Sequence, residues 1–314
     1  MKRIIRKVIA AIILLAFPAT MAATSPDSLR IRVYDAATNG PVEFCNVIAK
    51  NVATGALADE WGRATLRVGP RTLRDTLMVS CVGYDKLMVV MRPEIAETDT
   101  LRIYMKPKEY NLSEVTIRPA KKTKVLKKGK RHRGGIAMMA ESIHRGDCYA
   151  WEAGTKGKRT WLTGIEIQSY RPSQPPQKKG SDSIVGGKEV KIYHPVEKTR
   201  IRVNIYDASG KSTKSSGVER WNYTNVLHSP LIIHFSDSLV VDNCFTYSFP
   251  EPVLLPEKAL VELEILDEIP EDELFFFKSN IFGRGVIFRD VNDHGWLKFP
   301  VATPFTLTFL EEKL

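Results

Sequence analysis

The residues whose types and spacing could do chemistry are few, and each set is incomplete. His194 and Glu197 stand in an H-x-x-E spacing, which could supply two zinc ligands. His228, His234 or His294 would then have to supply a third. Such a centre would activate a bound water for hydrolysis. Pro195 stiffens the pair, and the flanking sequence has no helical stripe to carry it. Ser209-Gly210-Lys211-Ser212-Thr213 ends like a phosphate loop, but Ile205 stands where the loop needs its first glycine. Asp290-Val291-Asn292-Asp293-His294-Gly295 begins like a calcium loop, yet its twelfth position is Val301 rather than Glu. No G-x-S-x-G occurs. The expectation is therefore no catalytic residue, no cofactor and no resident metal. A zinc-dependent hydrolase at His194 and Glu197 is the alternative.

The four cysteines are Cys45, Cys81, Cys148 and Cys244, which allow three pairings. Cys45 is in phase with Val47 and Ala49, and Cys81 with Leu77 and Val79. Alternation thus turns both toward one core. Two packed free thiols are the favoured reading, and a Cys45–Cys81 bridge is the other. The spacings are too wide for a zinc knuckle or a C-x-x-C redox pair.

Charge suggests a partner class until it is located. The 314 residues carry a formal charge of +10, and a strongly basic chain invites a nucleic-acid reading. The excess is concentrated in two acid-free stretches. One is Lys2, Arg3, Arg6 and Lys7. The other is residues 118–133, with Arg118, Lys121, Lys122, Lys124, Lys127, Lys128, Lys130, Arg131 and Arg133. The rest is neutral to slightly acidic and has no basic recognition face. Residues 118–144 read as a basic linker that self-repulsion keeps extended. Lys121 through Arg133 are its candidate contacts with an anionic membrane surface, polysaccharide or acidic protein. Aromatic interleaving for base stacking is missing there, so nucleic acid is not expected.

Residues 1–23 have the pattern of a secretory signal. A basic start precedes the ten-residue apolar run Val8–Phe17, then Pro18 and small residues. The expected address is outside the cytoplasm: periplasm, outer-membrane-associated or cell surface.

The elements that would position these residues are strands. Leu29, Ile31 and Val33 alternate with Arg30, Arg32 and Tyr34. Asn39-Gly40-Pro41 and Asp59-Glu60-Trp61-Gly62 mark turns, the second capped by Asp59 with Gly62 free to take a positive φ. Leu77–Val82 is an apolar strand broken by Gly83. Short strands at this spacing argue for a sandwich. The ordered set Val33-Tyr34-Asp35, Gly40-Pro41-Val42, Cys45-Asn46-Val47, Asp59 to Gly62, Val79 to Tyr84 and Leu112 to Ile117 resembles the carboxypeptidase regulatory-like domain, a transthyretin-like Greek-key sandwich. The resemblance covers residues 24–117 and implies structural roles for Asp59, Gly62, Gly83, Tyr84 and Glu114. It also implies a docking or scaffold role without an active site, beside zinc carboxypeptidases or in bacterial envelope proteins.

Residues 145–314 read as a second, jelly-roll-like β-sandwich. Alternation runs through Ile165–Gln168, Ile201–Tyr206, Val261–Leu266 and Phe305–Phe309. Residues 136–143 are the one segment that suggests a helix, Pro172–Lys188 reads as a long loop, and the acidic stretch Glu257–Glu273 as a solvated edge. Trp151, Trp161, Trp221 and Trp296 are expected in the core, with exposed sugar-stacking faces as the alternative. Asp-Ser/Thr-aliphatic triplets begin at Asp27, Asp75, Asp99, Asp182 and Asp237. They fit strand starts after a turn Asp, and they are similar to O-glycan acceptor sites of some envelope bacteria. The whole chain reads as an exported, all-β, non-catalytic binding or scaffold protein of a bacterial envelope, with an envelope protein or polysaccharide as partner.

Overall fold

The structure, a computed structural model, describes residues 28–96, 98–109, 123–129, 136–140, 144–168, 177–185, 188–192, 194–210, 212–215, 218–221, 224–279, 286–289, 297–299 and 305–312. The expected signal and Glu114 lie outside them. The chain is all-β, built of mostly antiparallel sheets packed as sandwiches, with parallel pairing between Ser28–Asp35 and Leu101–Met105 and between His194–Pro195 and Glu273–Ser279. No helix among the described residues is long and apolar enough to cross a membrane.

The first sandwich uses β1 (Ser28–Asp35), β2 (Asn46–Ala49), β3 (Gly55–Leu57), β4 (Arg63–Arg67), β5 (Thr76–Ser80), β6 (Leu87–Val90) and β7 (Leu101–Met105). One sheet runs β4-β1-β7 and the other β3-β2-β5-β6. The period-two pattern explains the packing. Leu29, Ile31 and Val33 of β1 meet Val47 and Ala49 of β2, Leu77 and Val79 of β5, and Ile103 and Met105 of β7 in one dry core.

Asp75 anchors the start of β5. Its carboxylate accepts from the Asn51 backbone N–H (2.8 Å), the Asn51 amide (2.7 Å), the Val52 N–H (3.0 Å) and the Thr76 N–H (2.7 Å). Burial pushes this carboxyl up, but those donors outweigh it and hold it below the usual range. Its contribution is therefore present above the unfolded-state pKa and lost as pH falls through the lower folded value. Asp75→Ala is expected to cost about 2 kcal/mol at pH 7, typical for hydrogen bonds to a charged group. In urea titrations the gap to wild type should shrink toward pH 3. A gap that does not change with pH would show that Asp75 acts by packing alone.

The second sandwich opens on β8 (Thr123–Lys128) and β9 (Ile136–Ala140). Two longer strands follow, β10 (Cys148–Gly154) and β11 (Thr160–Gln168). A hairpin of β12 (Gln177–Val185) and β13 (Lys188–Ile192) precedes the short β14 (His194–Pro195) and the ten-residue β15 (Lys198–Asp207). Next come a hairpin of β16 (Ser212–Ser215) and β17 (Val218–Trp221), then β18 (Thr224–Asn225) and β19 (Leu231–Ser236). The long β20 (Cys244–Leu254) and β21 (Lys258–Ile265) lead to β22 (Glu273–Ser279), β23 (Val286–Arg289), β24 (Leu297–Phe299) and β25 (Phe305–Glu312). One layer is β18-β15-β21-β10-β23-β24, with β19 also on β15, and the other is β20-β11-β25-β8. Between them Trp151 stacks on Phe305 at 4.8 Å, among Ile165, Ile201, Val261 and Phe309.

Three expectations are corrected. Residues 123–128 are not an extended linker: β8 pairs antiparallel with β25, and Leu126 packs on the second core. The unpaired backbone edge of β25 supplies the hydrogen bonds that a solvated tether would take from water. Residues 136–140 are not helical but pair with β22. Most of the stretch read as a loop, Pro172–Lys188, belongs to the β12–β13 hairpin.

Candidate functional site

The sheet β15-β21-β10-β23 keeps Ile201, Val203, Val261 and Leu263 on its core face. The opposite face of a sheet usually meets water and is polar. Here that face is polar and also buried. Register sets Arg202 of β15 against Glu264 of β21, Glu264 against Cys148 of β10, and Cys148 against Arg289 of β23. These four side chains therefore form a row across four strands. Asn204 and Glu262 pair in the next row.

Arg202 donates from Nε and Nη2 to Glu264 Oε2 at 2.9 and 2.6 Å. Asn204 donates to Glu262 Oε1 (2.7 Å) and Glu264 Oε2 (3.1 Å), and Tyr206 Oη donates to Glu262 Oε1 (3.1 Å). Arg289 donates to Cys148 Sγ (2.8 Å) and lies 3.6 Å from Glu262 Oε2. Both glutamates are fully buried. Burial pushes the Glu262 carboxyl up, and the charge of Glu264 adds to that against the pull of Arg289. Burial acts on Glu264 too, but Arg202 and Arg289 outweigh it and hold its carboxyl low. Two carboxyls pushed apart is an acid–base pattern, yet no substrate surface reaches a pair with zero exposure. Cys148, Glu262 and Glu264 also bring three donor atoms within 4.8 Å of one another. Two guanidiniums already neutralise that set, so it is an ion-paired junction rather than a metal cage.

The first sandwich covers part of this face. Arg202 Nη1 donates to the Phe44 carbonyl at 2.5 Å. Arg200 pairs with Glu60 at 2.6 Å and with Asp267 at 2.5 Å, and its guanidinium lies over the Phe44 ring. Phe44 and Leu57 pack with Leu266, and Val82 enters the second core. An open cleft of about 410 Å³ remains beside this junction, lined by Leu57, Asp59, Arg63, Thr65, Arg145 and Glu268. Nε and Nη2 of Arg145 are buried there without a hydrogen-bond partner.

The residues expected from the sequence have varied fates. Asp59 caps its turn, accepting from the N–H of Trp61 and of Arg63, both at 2.8 Å. Gly62 and Gly83 take positive φ of 69° and 87°. Tyr84 donates to Asp35 at 2.9 Å. His194, Glu197, His228 and His234 are exposed, and His294 lies outside the described residues. Among the described residues no metal-sized cluster contains His194 or Glu197.

Of the expected anion contacts, Lys127 pairs with buried Glu166 at 3.2 Å. Lys128 donates to the Gly154 carbonyl at 2.5 Å and lies over Phe309. Both serve the fold. Lys124 is exposed on the same strand; Lys121, Lys122, Lys130, Arg131 and Arg133 lie outside the described residues. Asp290–Gly295 and Trp296 lie outside them too. Trp151 is buried as expected, Trp161 is half-buried, and among the residues whose side chains are described Trp61 of the first sandwich is the exposed tryptophan. The segment Glu257–Glu273 is corrected: Glu262 and Glu264 are interior. Their signal was the phase of Val-Glu-Leu-Glu-Ile against Arg-Val-Asn-Ile-Tyr, which sets acids opposite Arg202 and Asn204 when the strands pair.

No protein-family model matches the chain, and no curated protein matches it.

Proposed function

We propose that the chain is an exported, non-catalytic binding protein of a bacterial envelope, with a ligand site in the cleft where its two sandwiches meet. The observation that carries this reading is Arg145. Its half-buried side chain lines the open cleft together with Arg63, so that two cations face the space where the sandwiches meet. Two guanidiniums on one cleft attract an anionic ligand group, and the Thr65 hydroxyl beside them can donate to it. An acidic polysaccharide or an acidic protein segment has that chemistry. The signal-like start supports export, and the ordered motifs similar to the carboxypeptidase regulatory-like domain support a docking role.

The test is calorimetric titration of the full chain with oligogalacturonate and with a poly-glutamate peptide. Binding by the wild type is expected with one of them. Arg145→Gln should weaken it about tenfold or more, since a hydrogen bond to a charged group is worth about 1.5–3 kcal/mol. Equal binding by both proteins, or none by the wild type, would remove the cleft as a site for such anions.

A further inference from the structure

Cys45 and Cys81 are both thiols in this structure, and the strand register sets them face to face. β2 pairs with β5 as Ala49↔Leu77, Val47↔Val79 and Asn46↔Ser80. One step further on, Cys45 faces Cys81. The Lys50 N–H donates to the Thr76 carbonyl at 2.9 Å, which makes position 50↔76 a hydrogen-bonded pair. In an antiparallel ladder the two pair types alternate, so 45↔81 falls on a non-hydrogen-bonded position. Cα atoms there are about 4.5 Å apart. A disulfide requires roughly 4.4–6.8 Å. Both side chains turn toward the core of the first sandwich, where the Cys45 thiol donates to the Val42 carbonyl at 3.4 Å and the Cys81 thiol to the Glu43 carbonyl at 3.3 Å.

We propose that Cys45 and Cys81 are a redox-closable cross-strand dithiol, with Cys81 as the attacking sulfur, placed at the junction of the two sandwiches. Cys81 is partly exposed while Cys45 is fully buried, so an oxidant reaches Cys81 first. The Cys45 thiol beside it and the Arg202 charge favour the Cys81 thiolate against the effect of burial, as in other reactive cysteines. Burial holds the Cys45 thiol protonated.

The oxidant is an external disulfide, either of low molecular weight or on an oxidoreductase. The Cys81 thiolate attacks one of its sulfurs, that S–S bond breaks, and the first thiolate leaves with the electron pair. Cys45 then attacks Cys81 and expels the second, its proton passing to a departing thiolate. Two protein thiols are oxidised and one external disulfide is reduced to two thiols. The closed bond would clamp β2 to β5 one residue from Phe44, whose carbonyl receives Arg202.

The test uses the reduced, purified full chain and oxidised glutathione, so it does not depend on where the protein resides. Before oxidation, iodoacetamide should label Cys81 ahead of Cys45. Oxidation should give a product about 2 Da lighter, two hydrogens lost. Its peptide map should join the segments holding Cys45 and Cys81. Cys45→Ser, or Cys45→Ala if the serine variant folds poorly, should stop at a glutathione adduct on Cys81. Cys81→Ser should leave Cys45 unmodified. An unchanged wild-type mass, a bridge to Cys148 or Cys244, or the same mass loss in a Cys45 variant would overturn the proposal.

Discussion

Arg202→Ala should lower the stability of the protein by about 3–5 kcal/mol, the usual effect of removing one partner of a buried ion pair. Three interactions end at this guanidinium: two hydrogen bonds to Glu264 and one to the Phe44 carbonyl. Alanine leaves the Glu264 carboxylate dry, close to Glu262, and under the sole remaining influence of Arg289 among the cations named for it. Its pKa would then rise, so the deficit should be largest at neutral pH and shrink as pH falls and the carboxyl takes up a proton.

Because Arg202 ties one sandwich to the other, urea unfolding should also separate into two transitions. Arg202→Met combined with Glu264→Leu should recover most of the loss, since apolar replacement of a whole buried pair is often neutral or better. A deficit below about 1 kcal/mol for Arg202→Ala would mean that the pair behaves like a solvated surface bridge. A double variant no more stable than the single would mean that Arg202 acts through the Phe44 carbonyl instead.

This junction also marks how far local pattern could be read. Leu29, Ile31 and Val33, or Ile201, Val203 and Ile205, declare a strand and its core face by themselves, because burial on that face is a property of the strand. The Asp59 turn declares itself for a similar reason: the cap and the glycine lie within four residues. What covers the other face of a strand is settled elsewhere in the chain. Glu262 and Glu264 look like solvated edge acids until Phe44, some 220 residues earlier, is laid over their arginine. The lysines of β8 present the same problem. Nine cations without an acid look like a tether, and only the pairing with β25 and the buried Glu166 makes two of them structural. The Cys45–Cys81 pair is intermediate. Shared phase was visible in sequence, whereas direct opposition needed the register.

Gly62→Ala is expected to be nearly as damaging as the loss of Arg202, and for a local reason. The φ of Gly62 is 69°, where an L-residue is disfavoured by about 1–2 kcal/mol. Strain is the smaller part. A Cβ at Gly62 would overlap the Val33 carbonyl oxygen and crowd the Val42 carbonyl at 3.2 Å. Those carbonyls are backbone and cannot rotate aside. Relief requires moving the turn away from β1, where the Val33 N–H donates to the Gly62 carbonyl (2.8 Å) and the Val42 N–H to the Val33 carbonyl (3.0 Å).

With each such bond worth about 1 kcal/mol net, the sum is roughly 3 kcal/mol or more, measurable as a drop in urea midpoint at unchanged slope. Gly157 provides the control. Its φ is 76°, but a Cβ there meets nothing within 4 Å, so Gly157→Ala should show the conformational penalty alone, about 1 kcal/mol. If the two variants lost equal stability, strain would account for Gly62 and the close approach to β1 would carry no weight. A Gly62 loss at least twice that of Gly157 would identify this glycine as the point where β1 and the Asp59 turn are held against each other, a role that requires the absence of a side chain.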